Sequence, residues 1–430
     1  MAVSGRLPLL LLLGLVAVVL QPTREMVTLW AVICAALVAA DILLAVSPRR
    51  LRLEREPADQ VRLGSAGSTS VLVTNVSRRR VHGTLRDAWQ PSAGAQEDRH
   101  ALRLPGGERR RLTTRLLPTR RGDRLADRVT VRSFGPMRLG ARQRSFAVGG
   151  AIRALPPFTS RKHLPSRLAT LRQLDGRSAV RVRGQGTEFD SLRDYVEGDD
   201  VRSIDWRATA RRQHVVVRTW QPERDRRVIL VLDTSRTSAG RVHDMPRLDS
   251  EMDAALLLAA LASRAGDRVD FVAGDRWVRA RVTAAGRTTL LADLVRAMAP
   301  LEPALLEASW PTLATAIADT TRRRALVVLL TALEPAAIEE SLLPTLASLT
   351  MHHRVVLASV SDPALREMAD RRDTTAHAYG AAAAERTLAL RERTAATLGR
   401  LGVTVIDASP EDLPPRLADH YLLLKSQGLL

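Results

Sequence analysis

Hydrophobic positions fall into three regimes along the chain. Leu7–Leu20 is uncharged and apolar, and Met26–Val46 is a second apolar run with one charge, Asp41. A spanning helix takes ~20 predominantly apolar residues. The second run meets that length outright, and the first does so with its flanks. Gln21–Glu25, with Pro22, reads as a tight turn between them. The pattern predicts a transmembrane helical hairpin over residues 1–48, whose backbone groups are satisfied within each helix. No small-x-small cleavage site follows Leu20 and a second apolar span comes at once, which argues against a signal peptide. Cys34 reads as a buried thiol, and Asp41 as a carboxylate near enough to the interface to leave the lipid.

The second regime, residues 49–153, shows short alternating runs such as Ser70–Thr74, Arg109–Leu116 and Arg128–Arg132. Gly106-Gly107, Arg121-Gly-Asp123 and Gly149-Gly150 punctuate them as turns. A compact β-sandwich-like domain fits. The third regime, residues 223–430, alternates strands with helices. Arg227–Asp233, Ala325–Thr331, Arg354–Val360 and Val403–Asp407 are apolar strands; Asp267–Ala273 and Trp277–Val282 flank the turn Gly274-Asp275. Helices are expected at Asp249–Arg264, capped by Asp249 or Ser250, and at Leu290–Met298, Pro335–Thr350, Ala381–Leu401 and near the C-terminus. The fold class is therefore α/β, with a doubly wound, mostly parallel sheet that binds ligands at the carboxyl ends of its strands.

Charge sharpens the division. The net charge is +19, and only two cations are lysines, Lys162 and Lys425, so arginine-rich codon usage explains part of the excess. Residues 47–150 hold 23 arginines against nine acids, a net +14, beside the apolar N-terminus. Arg49, Arg50, Arg52 and Arg55 follow the second apolar run, whereas the turn nets zero, so both hairpin ends are expected in the cytoplasm. Residues 49–150 are candidates for contact with anionic lipid. A nucleic-acid-binding reading is invited by the charge, but aromatics are only 3% and the charge sits at the membrane side. The single cysteine excludes a disulfide framework and a multi-cysteine zinc site.

Two segments carry candidate chemistry. After the strand Arg227–Asp233 come Asp233, Ser235 and Thr237, a carboxylate and two hydroxyls at i, i+2 and i+4. Hard oxygen ligands of this kind suit Mg²⁺ or Mn²⁺; the same groups also cap helices and brace loops. The turn resembles the metal-ion-dependent adhesion site of von Willebrand factor A-like domains. That resemblance implies a Thr from a second loop, Thr288 or Thr289, and an acid from a third, where this chain has Ala332. One first-loop carboxylate without that acid makes a weak, incomplete site. The resemblance also implies that the turn lies open, so that a partner's acidic group can reach it.

The second segment, within the connecting residues 154–222, runs from Gly184 to Arg212 and alternates acids with arginines. Gly186, Glu188, Phe189, Arg193, Tyr195, Gly198, Asp199, Asp200, Arg202, Asp205, Trp206 and Arg218, with the Asp-x-Ser near 233, resemble the hallmark of the bacterial "domain of unknown function 58" family. The resemblance implies a membrane-anchored cytoplasmic interaction or scaffold protein working beside a MoxR-type AAA+ ATPase, located in the bacterial inner membrane. By their chemistry the hallmark residues serve either as an ion-pair network joining the β region to the α/β domain or as a docking surface. Trp206 is expected as a core anchor. No P-loop and no Gly-x-Ser-x-Gly is present, and Gly184-x-Gly186 lacks a third glycine, so the chain is not expected to be an enzyme. The remaining enzymatic alternative is a hydrolase using hallmark carboxylates as an acid/base pair.

Overall fold

The computed structural model describes the chain except residues 1, 4, 59, 182–187, 222–225 and 284–287; of residues 2, 3, 175–181, 188–191 and 219–221 it describes the backbone alone. It is a mixed α/β structure in two compact units, Met1–Pro156 and Pro157–Leu430.

The first unit opens with helices α1 (Leu7–Leu20) and α2 (Arg24–Leu44). The Thr23 hydroxyl accepts from Met26 N at 3.2 Å and starts the second helix. Among the described residues one helical stretch, Arg24–Arg50, is long and apolar enough to cross a membrane. α1, at 14 residues, spans only about 21 Å against a hydrocarbon core of about 30 Å. A Cβ at Gly14 would lie 1.8 Å from the Trp30 ring, so the glycine is what lets the two helices approach.

The rest of this unit is β. A seven-stranded sheet is organised around the long strand Gly122–Phe134, which pairs with Val81–Trp89, Gly140–Phe146 and Ala151–Leu155. A four-stranded sheet holds Leu51–Arg55, Gly67–Asn75, Arg109–Leu116 and Ala95–Gln96. Alternate residues of both supply one core, including Val71, Val73, Leu112, Leu85, Val129 and Val131. A buried pair joins the sheets: Arg55 donates to both Asp87 oxygens at 3.0 and 2.5 Å, and its guanidinium lies over Trp89.

Both ends of the helical pair are tied to this β framework. Ala2 and Val3 pair with Ala141 and Gly140. At the other end Asp41, fully buried, does not turn toward solvent as its position near the interface suggested. Its carboxylate accepts from the backbone N–H groups of Met137, Leu139 and Gly140 at 2.8, 2.7 and 2.9 Å. The last carbonyls of α2 are also taken up. Arg142 donates to Ile42 O at 2.8 Å, and Arg79 to Leu44 O at 2.7 Å. These groups have no partner inside the helix.

The second unit contains a six-stranded sheet in the order Val278–Val282, Arg268–Gly274, Arg227–Asp233, Leu326–Leu330, Arg354–Val360, Thr404–Ala408. All neighbours are parallel except the first pair, a hairpin. Central strands are buried beyond the arginines that open two of them, Arg227 and Arg354, as continuous apolar runs require. Ile229, Val231, Val327, Leu329, Val355 and Leu357 share one face and pack with Trp310, Leu313, Leu346 and Leu349. The helix Arg247–Arg264 packs on the sheet beside Leu413–Ser426, with nearly all of its own residues buried. Helices at Leu164–Arg181, Trp310–Thr320 and Pro363–Asp370 were not foreseen. The expected helix Pro335–Thr350 is broken at Ile338–Leu342 by a widened turn just before Pro344. That proline lacks an N–H and cannot complete the preceding ladder.

Candidate functional site

The turn after the central strand is built from strand ends. Asp233 closes Arg227–Asp233, and the parallel neighbour ending at Leu330 delivers Thr331 to the same height. Asp233 Oδ2 accepts from Thr331 Oγ1 at 2.6 Å and Thr237 Oγ1 at 3.0 Å, and Oδ1 accepts from Ser235 N at 2.8 Å. Ser235 Oγ and Thr237 Oγ1 lie 3.0 Å apart. The three first-turn residues are thus brought together, and Thr331 joins them. Thr288 and Thr289 are not brought there: they stand exposed before the helix Leu290–Met298. Residues 284–287, ahead of them, lie outside the described set.

The expectation of an open turn is corrected. Asp233 and Ser235 are each 1% exposed, and Ser238 is fully buried. Glu307, Ala308, Trp310, Ala337, Ile338 and Ser341 wall the turn in, leaving a cavity of about 10 Å³. That is room for about one water. Glu307 pairs with Arg236, the exposed residue of the turn. The third-loop position, Ala332, is buried and brings no oxygen. An octahedral Mg²⁺ or Mn²⁺ needs six oxygen ligands at about 2 Å. One carboxylate already holding three donors, in so small a space, does not fit such an ion. Among the described residues no three His, Cys, Asp or Glu side chains cluster as a metal site.

A second carboxyl lies behind the turn. Glu251, on the helix Arg247–Arg264, is fully buried and its Oε2 accepts from Ser238 Oγ at 3.1 Å, while Oε1 has no partner. Burial first, and then the nearby Asp233 charge, push the Glu251 carboxyl up to about 8. Burial also raises Asp233, against the opposing pull of Thr331, Ser235 and Thr237. The sequence marked Thr331 only as the strand end before the third-loop position, and it gave Glu251 no role. The available signal for Glu251 was an acid on the same helical stripe as Ala255 and Leu258.

The hallmark forms a separate arrangement. Glu188–Asp194 and Val216–Gln221 pair antiparallel, and residues 195–215 make an excursion between them. Tyr195 N donates to Val215 O at 2.9 Å and closes its neck. Gly198, at φ +106°, turns the chain where a side chain would be strained. Arg193 bonds Asp199 at 2.5 Å, and Asp199 also accepts from Val196 N at 3.0 Å. Asp200 accepts from Arg202 N at 3.0 Å. Asp205 caps the helix Trp206–Arg212 through Arg207 N and Ala208 N, both at 3.0 Å, and accepts from Arg218 Nε at 2.8 Å. The Arg193–Asp199, Asp200–Arg202 and Asp205–Arg218 contacts each join two hallmark residues, so the charges staple the excursion to itself. Gly186 lies outside the described residues, and Glu188 and Phe189 are placed by backbone only.

Trp206 is not a core anchor: it is 66% exposed, with Val196 at 61% and Val201 at 62%. The Asp205 cap puts Trp206 at the first turn of its short helix. The Arg193 bond, then Val196 N, hold the Asp199 carboxyl below its usual range. The Ala208 amide, then Arg218, do the same for Asp205. A general acid requires the opposite shift, so these two are poor proton donors.

Comparison with known proteins agrees with the hallmark. The chain is 28% identical over 196 residues to uncharacterized proteins of Mycobacterium bovis and Mycobacterium tuberculosis, covering 44% of this chain and 59% of each relative. It thus spans less than two thirds of the relatives it matches. Among solved structures, the ASH/PapD-like domain 7 of human CEP192 aligns at 12% identity over 25% of this chain and 90% of that domain, with a TM-score of 0.18. Residues 191–379, somewhat less than half of the chain, match the family described as "Protein of unknown function DUF58".

Proposed function

We propose that this chain is a membrane-anchored interaction protein whose docking surface is the hallmark excursion. The observation that carries the reading is the exposed set Val196, Val201 and Trp206, held on a loop stapled by Arg193–Asp199 and Asp205–Arg218. Apolar side chains exposed on a loop whose charges pair within it offer a preordered binding face, and aromatic residues in such positions carry much of an interface's energy. The partner is a MoxR-type AAA+ ATPase, in line with the family resemblance. The parallel sheet, with its Asp-x-Ser turn at the carboxyl end of the central strand, supports a von Willebrand factor A-like reading of the second unit. In this chain the turn acts as a brace rather than as a metal-bearing contact. Neither the hydrolase reading nor nucleic-acid binding gains a comparable observation.

The anchor is the helical pair, inserted as a hairpin with the Gln21–Thr23 turn across the bilayer. Support comes from the ties of both helix ends to the β domain and from the arginines on the α2 carbonyls. The β domain and the second unit lie in the cytoplasm, consistent with Arg49, Arg50, Arg52 and Arg55 after α2.

The test is recovery of the ATPase on full-length protein solubilised from membranes. Trp206→Ala is expected to lower recovery at least about tenfold, a central aromatic contributing on the order of 2 kcal/mol. Asp233→Asn is expected to leave it unchanged. The reverse pattern would return the contact to the 233–237 turn.

A further inference from the structure

The base of the helical pair carries a cavity that the proposed docking function does not use. It has a volume of about 310 Å³ and is lined by Arg6, His82, Thr84, Arg103, Phe134 and Arg138, among others. Three arginines and a histidine converge there, and no acid lines it. Arg103 and Arg138 form no ion pair with an acid among the described residues. Arg6 directly precedes α1. Arg138 belongs to the loop that grips Asp41 at the end of α2, and it sits at φ +58°, a conformation a non-glycine residue adopts only where its surroundings impose it. The two flanking amides that bind Asp41 supply that constraint.

An apolar groove of about 610 Å³ begins one residue away. It is lined by Leu7, Leu11, Cys34, Val38, Ile42 and Leu43, among others, between the two helices. Ile42 also packs against Gly140, two residues beyond Arg138. A basic cavity at the helix bases and an apolar groove along the helices match the two halves of one molecule.

We propose that this cavity and groove bind one anionic phospholipid, its phosphate among Arg6, Arg103 and Arg138 and one acyl chain between α1 and α2. The proposal rests on the membrane reading above and adds a specific lipid site to it. Arginine suits the phosphate through paired N–H donors. The groove selects a lipid over free phosphate.

Native mass spectrometry of the full-length protein in detergent, titrated with phosphatidylglycerol or phosphatidylcholine, tests this. One phosphatidylglycerol is expected to bind in preference to phosphatidylcholine and to resist displacement by millimolar inorganic phosphate. Arg103→Gln with Arg138→Gln is expected to weaken it about thirtyfold, roughly fivefold for each charge near a phosphate. Arg103→Gln alone, on an exposed strand position, gives the single step should the double variant fold poorly. Arg110→Gln with Arg115→Gln, the same charge loss on exposed positions of another strand, should leave binding intact. Equal losses from both pairs, equal binding of both lipids, or full displacement by phosphate would overturn the site. Carbonate washing of membranes separates the two levels. If the wild type is stripped off, the anchoring itself is wrong and the site falls with it. If the wild type is retained but the variants bind lipid normally, only the site is wrong.

Discussion

Asp41→Ala is expected to release the end of α2 from the β domain and to destabilise the first unit by roughly 3–5 kcal/mol, the scale of several buried donors losing a charged acceptor. The carboxylate is fully buried and receives three backbone N–H groups within 2.9 Å. Alanine leaves all three without a partner. Gly135 reports the tightness of the fit, since a Cβ there would lie 2.2 Å from Asp41 Oδ1. Hydrogen exchange on the full-length protein in nanodiscs reads the effect directly. The amides of Met137, Leu139 and Gly140 should be protected in the wild type and exchange at least about a hundredfold faster in the variant, 1.4 kcal/mol corresponding to a factor of ten. Unchanged protection would remove Asp41 from the coupling.

Glu251→Gln is expected to remove the part of the second unit's pH-dependent stability that this carboxyl contributes. The folded carboxyl sits at about 8, against 4.5 for an ordinary one. Between those values the folded state holds one proton more than the unfolded chain. Wild-type stability therefore falls as pH rises from about 4.5 to about 8, by up to about 1.4 kcal/mol per pH unit, and levels off above. Glutamine keeps the shape and stays neutral, so the variant's advantage should widen across that window. Thermal midpoints of the full-length protein, followed by tryptophan fluorescence with Trp310 buried in the core, measure it. Parallel curves for the two proteins from pH 5 to pH 8.5 would contradict the assignment.

How far these features could be read in advance depends on their range in sequence. Apolar runs set strands such as Arg227–Asp233 and Arg354–Val360 at the expected bounds, because full burial on both faces demands a continuous run. Leu290–Met298 also matches. Helix starts were less legible. The helix expected from Ala381 begins at Thr375 under a Thr374 cap, and Asp249 lies inside the first turn of its helix rather than capping it. Long-range pairings left no local trace. Nothing near Asp41 signals the loop 96 to 99 residues onward that it binds. Thr331, 98 residues from Asp233, replaces an expected second-loop threonine because parallel pairing brings two strand ends to one level. The hallmark residues were identifiable as a set. Their roles were not, since an alternation of acids and arginines fits a local staple as well as a bridge between domains, and a tryptophan suits a core as well as a surface.

The proposed docking role sets Trp206 against a partner. Photocrosslinking from a benzophenone amino acid placed at position 206 of the full-length protein, in its native membrane, tests it most directly. An adduct containing a MoxR-type AAA+ ATPase is expected from position 206 and none from position 379, a still more exposed site on the helix Thr375–Arg400. No ATPase adduct from position 206, or the same adducts from both positions, would contradict it.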